Sequence, residues 1–319
     1  MKKNETFLSE GLIIKVTGKE YLVATSDGSK YKCVIKGSLR VKEFKATNPV
    51  AIGDYVEFEW NEKKALGYIR NIKERKNYII RKSAKLSKQF QIIAANIDYA
   101  FLVVTLINPP TSTEFIDRFL ATAEAYNIKA GLIFNKIDLY NTQELQDELF
   151  YLETVYKQIG YKVIKISVKE NMNLNQVMES SRNKINLFTG HSGVGKSSLI
   201  KALIPDIEIK IGKLSEYHLK GKNTTSHSEM FELPYGGYLI DTPGIKGFGL
   251  YEFKKNEISH FFPEIFEIGH NCEFNDCTHT HEPGCAVKKA VSEGLIAPTR
   301  YESYLDIYLD ENEKYRKPF

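Results

Sequence analysis

Through the first seventy residues, apolar positions fall in short runs separated by polar and turn-forming residues. Runs at 11–16, 21–24, 31–35, 54–58 and 65–69 are β-type, and Ser26-Asp27-Gly28-Ser29 is a turn signal between two of them. Strands of this number and length predict a small closed barrel of the OB type, although other small barrels would read similarly. The stretch 73–88 holds seven basic residues against one acid and is expected to mix the last barrel strand with a linker. From Asn96 the period changes. Buried-strand runs at 99–104, 130–134, 163–166 and 185–188 alternate with helical spacing at Phe115, Ile116, Phe119, Leu120 and Ala123, and again at Leu145, Leu149, Leu152 and Val155. Runs at 230–233 and 238–241 flank Pro234-Tyr235-Gly236-Gly237 and read as a hairpin. This alternation predicts a central sheet with helices on both faces. After about residue 252 the strand signals fade into a Cys/His cluster and a helical tail. The expected fold is multidomain α/β: a barrel over 1–84, a nucleotide-binding domain over 92–250 and a metal-binding helical domain over 251–319.

Composition sharpens this picture in three ways. The chain has 319 residues and is 42% hydrophobic, enough for real cores. Its start lacks a secretory apolar stretch, and no run of about 18 apolar residues predicts a membrane span. Three of the four cysteines cluster, which suits a metal site in a reducing, cytoplasmic compartment better than a disulfide scaffold. The net charge of +4 conceals an asymmetry, because residues 1–90 hold 20 basic and 10 acidic residues while the remainder holds 24 and 30. A basic head on an acidic body points to a polyanion such as nucleic acid as the partner of the head.

Candidate chemistry lies in four places. Gly190-His191-Ser192-Gly193-Val194-Gly195-Lys196-Ser197 fits GxxxxGK[ST] and sits between an apolar strand and a helical run that begins at Ser198. Its backbone N–H groups would cradle phosphates, Lys196 would reach the β- and γ-phosphates, and Ser197 would ligate Mg²⁺. Asp241, at the end of a strand in Asp241-Thr242-Pro243-Gly244, stands where a second magnesium-shell carboxylate and a γ-phosphate loop belong. Asn135-Lys136-Ile137-Asp138 also ends a strand. A carboxylate at Asp138 can accept both guanine donors, N1–H and the N2 amine, which adenine cannot supply. Asn135 would bind the ring edge and brace neighbouring loops, and Lys136 would lie against the base plane. Ser167-Val168-Lys169, after the next strand, fits a supporting loop for the guanine. Between the phosphate loop and Asp241, Gly221-Lys222-Asn223-Thr224-Thr225 stands where a switch segment would place a threonine on Mg²⁺, Thr225 being preferred to Thr224. Ile245 occupies the position where many GTPases carry a water-orienting glutamine. Finally, Cys272, Cys277, His279 and Cys285 offer three thiolates and an imidazole, the donor set of structural zinc, with His281 and His270 as rival nitrogen ligands. Cys33, alone in a strand, reads as a small core residue.

The order of these motifs is unusual: the base-reading loop precedes the phosphate loop. Together with the N-terminal barrel, the segment 97–139 containing Asp117-Arg118-Phe119-Leu120, and the terminal Cys-Cys-His-Cys knuckle, the chain resembles the ribosome small subunit-dependent GTPase A family of circularly permuted GTPases. That resemblance implies a late assembly factor of the small (30S) subunit. It would bind 16S rRNA through the barrel and the zinc domain, hydrolyse GTP to GDP and phosphate when the subunit stimulates it, and act as a monomer. A GTP-switched RNA-binding module, or a permuted GTPase of another ribosomal particle, is the alternative. The switch segment departs from the family pattern Gly-x-His-Thr-Thr-Thr, since Asn223 replaces the histidine proposed to assist hydrolysis. An amide holds a water but cannot take its proton near neutral pH, so the catalytic-histidine role does not transfer, and nearby His227 could assume it only through geometry.

Overall fold

A computed structural model of the chain describes residues 6–35, 49–82, 90–205, 207, 229–241 and 253–310. The chain divides into two compact units. The first comprises Met1–Asp98, Ser181–Phe188 and Glu208–Pro243, and the second Tyr99–Ser180, Thr189–Ile207 and Gly244–Phe319.

In the first unit, β1 (Thr6–Thr17), β2 (Glu20–Ala24), β3 (Lys30–Ile35), β4 (Tyr55–Asn61) and β5 (Leu66–Ile72) pair in the order β1-β2-β3-β5-β4, and β4 returns to β1 to close a barrel. One long strand serves both ends of the closure. The first half of β1 pairs with β4 and the second half with β2, and a register shift between Ile13 and Lys15 supplies the bend. Alternation then sorts the side chains: Val56 and Phe58 fall inside with Ile13, Val23, Cys33 and Ile69, all fully buried. Burial pushes the Cys33 thiol up to about 12, as expected of an inert core residue.

The segment after β5 corrects one expectation. It does not add to the barrel, whose strands already close on one another. Instead β6 (Tyr78–Lys82) pairs antiparallel with β7 (Phe90–Ala95) as a separate two-stranded ribbon. The ribbon is tied to the barrel by polar groups. Arg75 grips the buried Asp54 at 2.6 and 2.7 Å, and the Asn96 amide donates to Gly53 O at 2.8 Å. The same unit contains β11 (Ile185–Thr189, its last residue in the second unit), which is parallel to β13 (Tyr238–Asp241), and β12 (Glu229–Glu232), which forms the expected hairpin with β13.

In the second unit, β8 (Tyr99–Val104), β9 (Ala130–Phe134) and β10 (Lys162–Lys165) are parallel. Parallel neighbours need crossovers, which α1 (Thr113–Ala125) and α2 (Gln143–Ile159) provide. Both helices begin at side-chain caps, Ser112 and Thr142. Two shorter helices, α3 (Leu174–Ser181) and α4 (Lys196–Leu203), flank β11 in sequence. The C-terminal part is a 3₁₀ segment (Lys255–Phe261) followed by α5 (Pro263–Gly269), α6 (Ala286–Ser292) and α7 (Pro298–Leu309). Its core of Phe262, Ile265, Val287 and Tyr304 packs against Ala121 of α1. Beside that core, fully buried Arg300 of α7 binds Glu264 at 2.6 Å and Asp117 of α1 at 2.9 Å. Ser303 and Tyr156 donate further hydrogen bonds to Asp117 at 2.7 and 2.8 Å. Each charge has a partner of opposite sign, the condition for burying such groups at tolerable cost.

Candidate nucleotide site and metal centre

The GxxxxGK[ST] loop takes the place its flanks predict: β11 leads in and Lys196 begins α4, so the loop wraps the N-terminus of a helix. Val194 is fully buried beneath it, and Leu199 N donates to Gly195 O at 2.9 Å as the first helical turn forms. Gly195 has φ +91°, and a Cβ there would collide with the Asn135 amide nitrogen. Glycine is therefore required both by the left-handed backbone and by the approach of a second loop.

That second loop is 135–138. Asn135 uses both ends of its amide: Nδ2 donates to Val194 O at 2.9 Å, and Oδ1 accepts from Val168 N at 3.2 Å. Lys136 has φ +63°, and its ammonium donates to Gly193 O at 2.8 Å and to Asn108 O. Ser167 Oγ donates to Asp138 Oδ1 at 2.6 Å and accepts from Glu170 N at 3.1 Å. Segments 135–138, 167–168 and 190–197, scattered in sequence, thus form one braced assembly. Lys169 is turned to the surface, where it pairs with Glu170 at 3.2 Å.

Two supporting residues were passed over in the sequence. Tyr140 Oη donates to Asn135 O at 2.7 Å and accepts from Leu106 N at 2.9 Å. Burial pushes this hydroxyl up to about 12, so it stays a donor. Phe115 of α1 lies against His191, with ring centroids 3.8 Å apart. Burial first, then the Arg118 charge, hold the His191 imidazole below its ordinary value, so it is neutral at pH 7. Neither residue carries a local signal, because each acts on a segment far off in the chain.

Asp241 ends β13, but its side chain lies outside the described residues, as do Asn223, Thr224, Thr225, His227, Gly244 and Ile245.

At the C-terminal cluster, the ligand atoms of Cys272, Cys277, His279 and Cys285 lie within 4.8 Å of one another. His279 Nδ1 is 3.6 Å from the sulfurs of both Cys272 and Cys285, and those sulfurs are 3.9 Å apart. Bonds of about 2.0–2.3 Å to a tetrahedral zinc produce ligand separations of this order. A left-handed backbone at His279, φ +58°, turns its imidazole into the group. The rivals are elsewhere: His281 Nδ1 is 2.8 Å from Thr280 Oγ1, and the His270 ring packs on Phe266. Outer groups hold the loop. Tyr301 and Tyr304 donate to the carbonyls of His279 and Thr278 at 2.6 and 2.7 Å. Glu282 accepts from Thr278 and Thr280 N–H groups at 2.8 and 3.0 Å. Desolvation opposes its charge, but these hydrogen bonds outweigh it and hold the carboxyl down at about 2.

Comparison with known proteins agrees with this geometry. The family described as RsgA GTPase matches residues 72–251, and the RsgA N-terminal domain matches residues 10–69. The chain is 51% identical over 314 residues to the small ribosomal subunit biogenesis GTPase RsgA of Bacteroides fragilis, covering 97% of this chain and 100% of that one. It is 49% identical over 308 residues to the protein of the same name from Flavobacterium johnsoniae, covering 96% and 94%. Among solved structures it is similar to YjeQ from Thermotoga maritima, with TM-score 0.79, 30% identity and coverage of 95% and 98%. It is also similar to YloQ, described as a circularly permuted GTPase, with TM-score 0.78, 30% identity and coverage of 100% and 99%.

Proposed function

The chain belongs to the RsgA GTPase family, and from that premise we propose that it is a GTP hydrolase of small ribosomal subunit assembly whose nucleotide is held by the braced loops 135–138, 167–168 and 190–197. The observation that carries the reading is the double use of the Asn135 amide, which ties the phosphate loop to the guanine-supporting loop. Backbone N–H groups of 190–197 and the N-terminus of α4 receive the phosphates, with Lys196 on the β- and γ-oxygens. Asp138, oriented by Ser167, accepts the two guanine donors, and Lys136 flanks the base. Ser197 and Asp241 fit the hard oxygen shell of Mg²⁺, joined by Thr225 or Thr224, with Gly244 beside the γ-phosphate. Magnesium, when bound, neutralises charge between the β- and γ-phosphates. The reaction is GTP + H₂O → GDP + phosphate.

The apolar Ile245 and the non-basic Asn223 leave water activation poorly served, so unaided turnover is slow and depends on a group supplied from outside. Three parts divide the work: 1–84 as the barrel, 92–250 as the permuted GTPase, and 251–319 as the zinc-bearing part. The basic head and the zinc part contact 16S rRNA, and zinc has a folding role because its ligand set is complete without solvent. No helix among the described residues is long and apolar enough to cross a membrane, and the assembly role places the chain in the cytoplasm as a monomer. Phosphate release under multiple turnover, with and without small subunits, tests the reading. Strong stimulation by small subunits is expected. No stimulation overturns the assembly role, and equal stimulation by large subunits assigns it to another particle.

A further inference from the structure

Nothing in the GxxxxGK[ST] pattern asks for an imidazole at its second position, yet His191 is there and is covered by a ring from outside the loop. That ring, Phe115, sits in the first turn of α1. Two residues further on is Asp117. At about 100° per residue, positions 115 and 117 point to opposite sides of a helix. One side of α1 therefore touches the phosphate loop while the other is bound to α7 by Arg300 and Ser303, at 2.9 and 2.7 Å. The far end of the same connection is the metal loop. Tyr301 and Tyr304, also on α7, hold the carbonyls of His279 and Thr278. A line of direct contacts thus runs from the zinc ligands through α7, Asp117, α1 and Phe115 to His191. Its central joint has little slack, since Arg300 and Asp117 are both fully buried and a displaced charge there would be left without a partner.

We propose that Phe115 is a positioning residue of the phosphate loop, and that the C-terminal zinc-bearing part holds it against His191 through Arg300 and Asp117. Movement of α7 away from Asp117 releases α1, draws the Phe115 ring off His191 and loosens the loop around its phosphates. The nucleotide then leaves faster. Whatever the C-terminal part binds thereby sets how long the nucleotide stays.

The inference rests on the reading of 190–197 as the phosphate loop, and its test is the dissociation rate of a fluorescent GDP analogue from the full-length chain. An aromatic contact of this size corresponds to roughly a three- to tenfold change, so Phe115→Ala accelerates release by that factor and Phe115→Tyr restores it. Arg300→Met accelerates release in the otherwise unaltered chain but adds less than about twofold once Phe115 is alanine, because the two act on the same contact. If Arg300→Met does not fold, Ser303→Ala takes its place with the same pair of outcomes. An unchanged rate in Phe115→Ala, or an equal effect of the α7 variant in both backgrounds, overturns the inference while leaving the phosphate-loop reading intact. Failure of the unaltered chain to take up the analogue overturns the phosphate-loop reading itself.

Discussion

Asn135, Lys136 and Asp138 share one short loop but perform three different tasks. Asn135 needs both a donor and an acceptor, because Val194 O and Val168 N lie on its two sides. Lys136 needs a long donor that reaches the carbonyl of Gly193. Only Asp138 is committed to the base, with its orientation held by Ser167. Asp138→Asn is therefore expected to weaken GTP by roughly ten- to a hundredfold, the cost of losing a charge-assisted hydrogen-bond pair, and to improve xanthosine triphosphate. Competition binding of the two nucleotides checks this, and an unchanged preference for GTP removes Asp138 from the guanine site. The residue types were legible in the sequence because each motif is contiguous. Tyr140 was not, since its task is to join Asn135 O to Leu106 N and depends on where β8 and β9 end.

At the scale of elements, α1 and α7 form the most demanding junction. Asp117 and Arg300 are 183 positions apart in the chain, and both are fully buried. Removing one partner strands the other charge away from water. Arg300→Met is expected to destabilise the fold by about 3–5 kcal/mol, and the double variant Asp117→Leu/Arg300→Met by less than the sum of its singles. Equilibrium denaturation of the three variants measures this, and strict additivity would mean that the pair does not interact. The strands and helices at this scale were largely readable from periodicity, with boundaries shifted by a few residues. The β6–β7 ribbon was misassigned for a definite reason. A short apolar run beside lysines reads the same whether it enters a barrel or pairs with a later strand. The choice is made by closure of β4 on β1, a contact between residues such as Phe7 and Trp60 that local sequence cannot report.

For the molecule as a whole, the order of motifs has a physical consequence. With the base-reading loop first, the chain leaves Asp241 and enters the C-terminal part about a dozen residues later, at Phe253. The zinc-bearing part is thus continuous in sequence with the region expected to sense the γ-phosphate. It also returns to α1 through Arg300. Metal removal is expected to matter beyond the knuckle itself. Purified protein should hold one zinc per chain, and chelation should lower the melting temperature and release the C-terminal helices, because a site formed only on folding contributes its binding energy to the fold. Metal analysis with thermal unfolding tests this. Absence of zinc, or a melting temperature indifferent to chelator, would leave the cluster as reduced cysteines without a metal role.

Spacing along the chain was sufficient for the chemistry. Phosphate loops, guanine loops and zinc knuckles are built from contiguous residues whose backbone and donor atoms must occur at set intervals, so composition and order reveal them. Packing alone decided how those pieces support one another. Asn135 beside Val194, Phe115 on His191 and Arg300 on Asp117 each join segments that are remote in sequence. Such contacts depend on strand order, helix orientation and the exclusion of water, which exist only once the chain has folded.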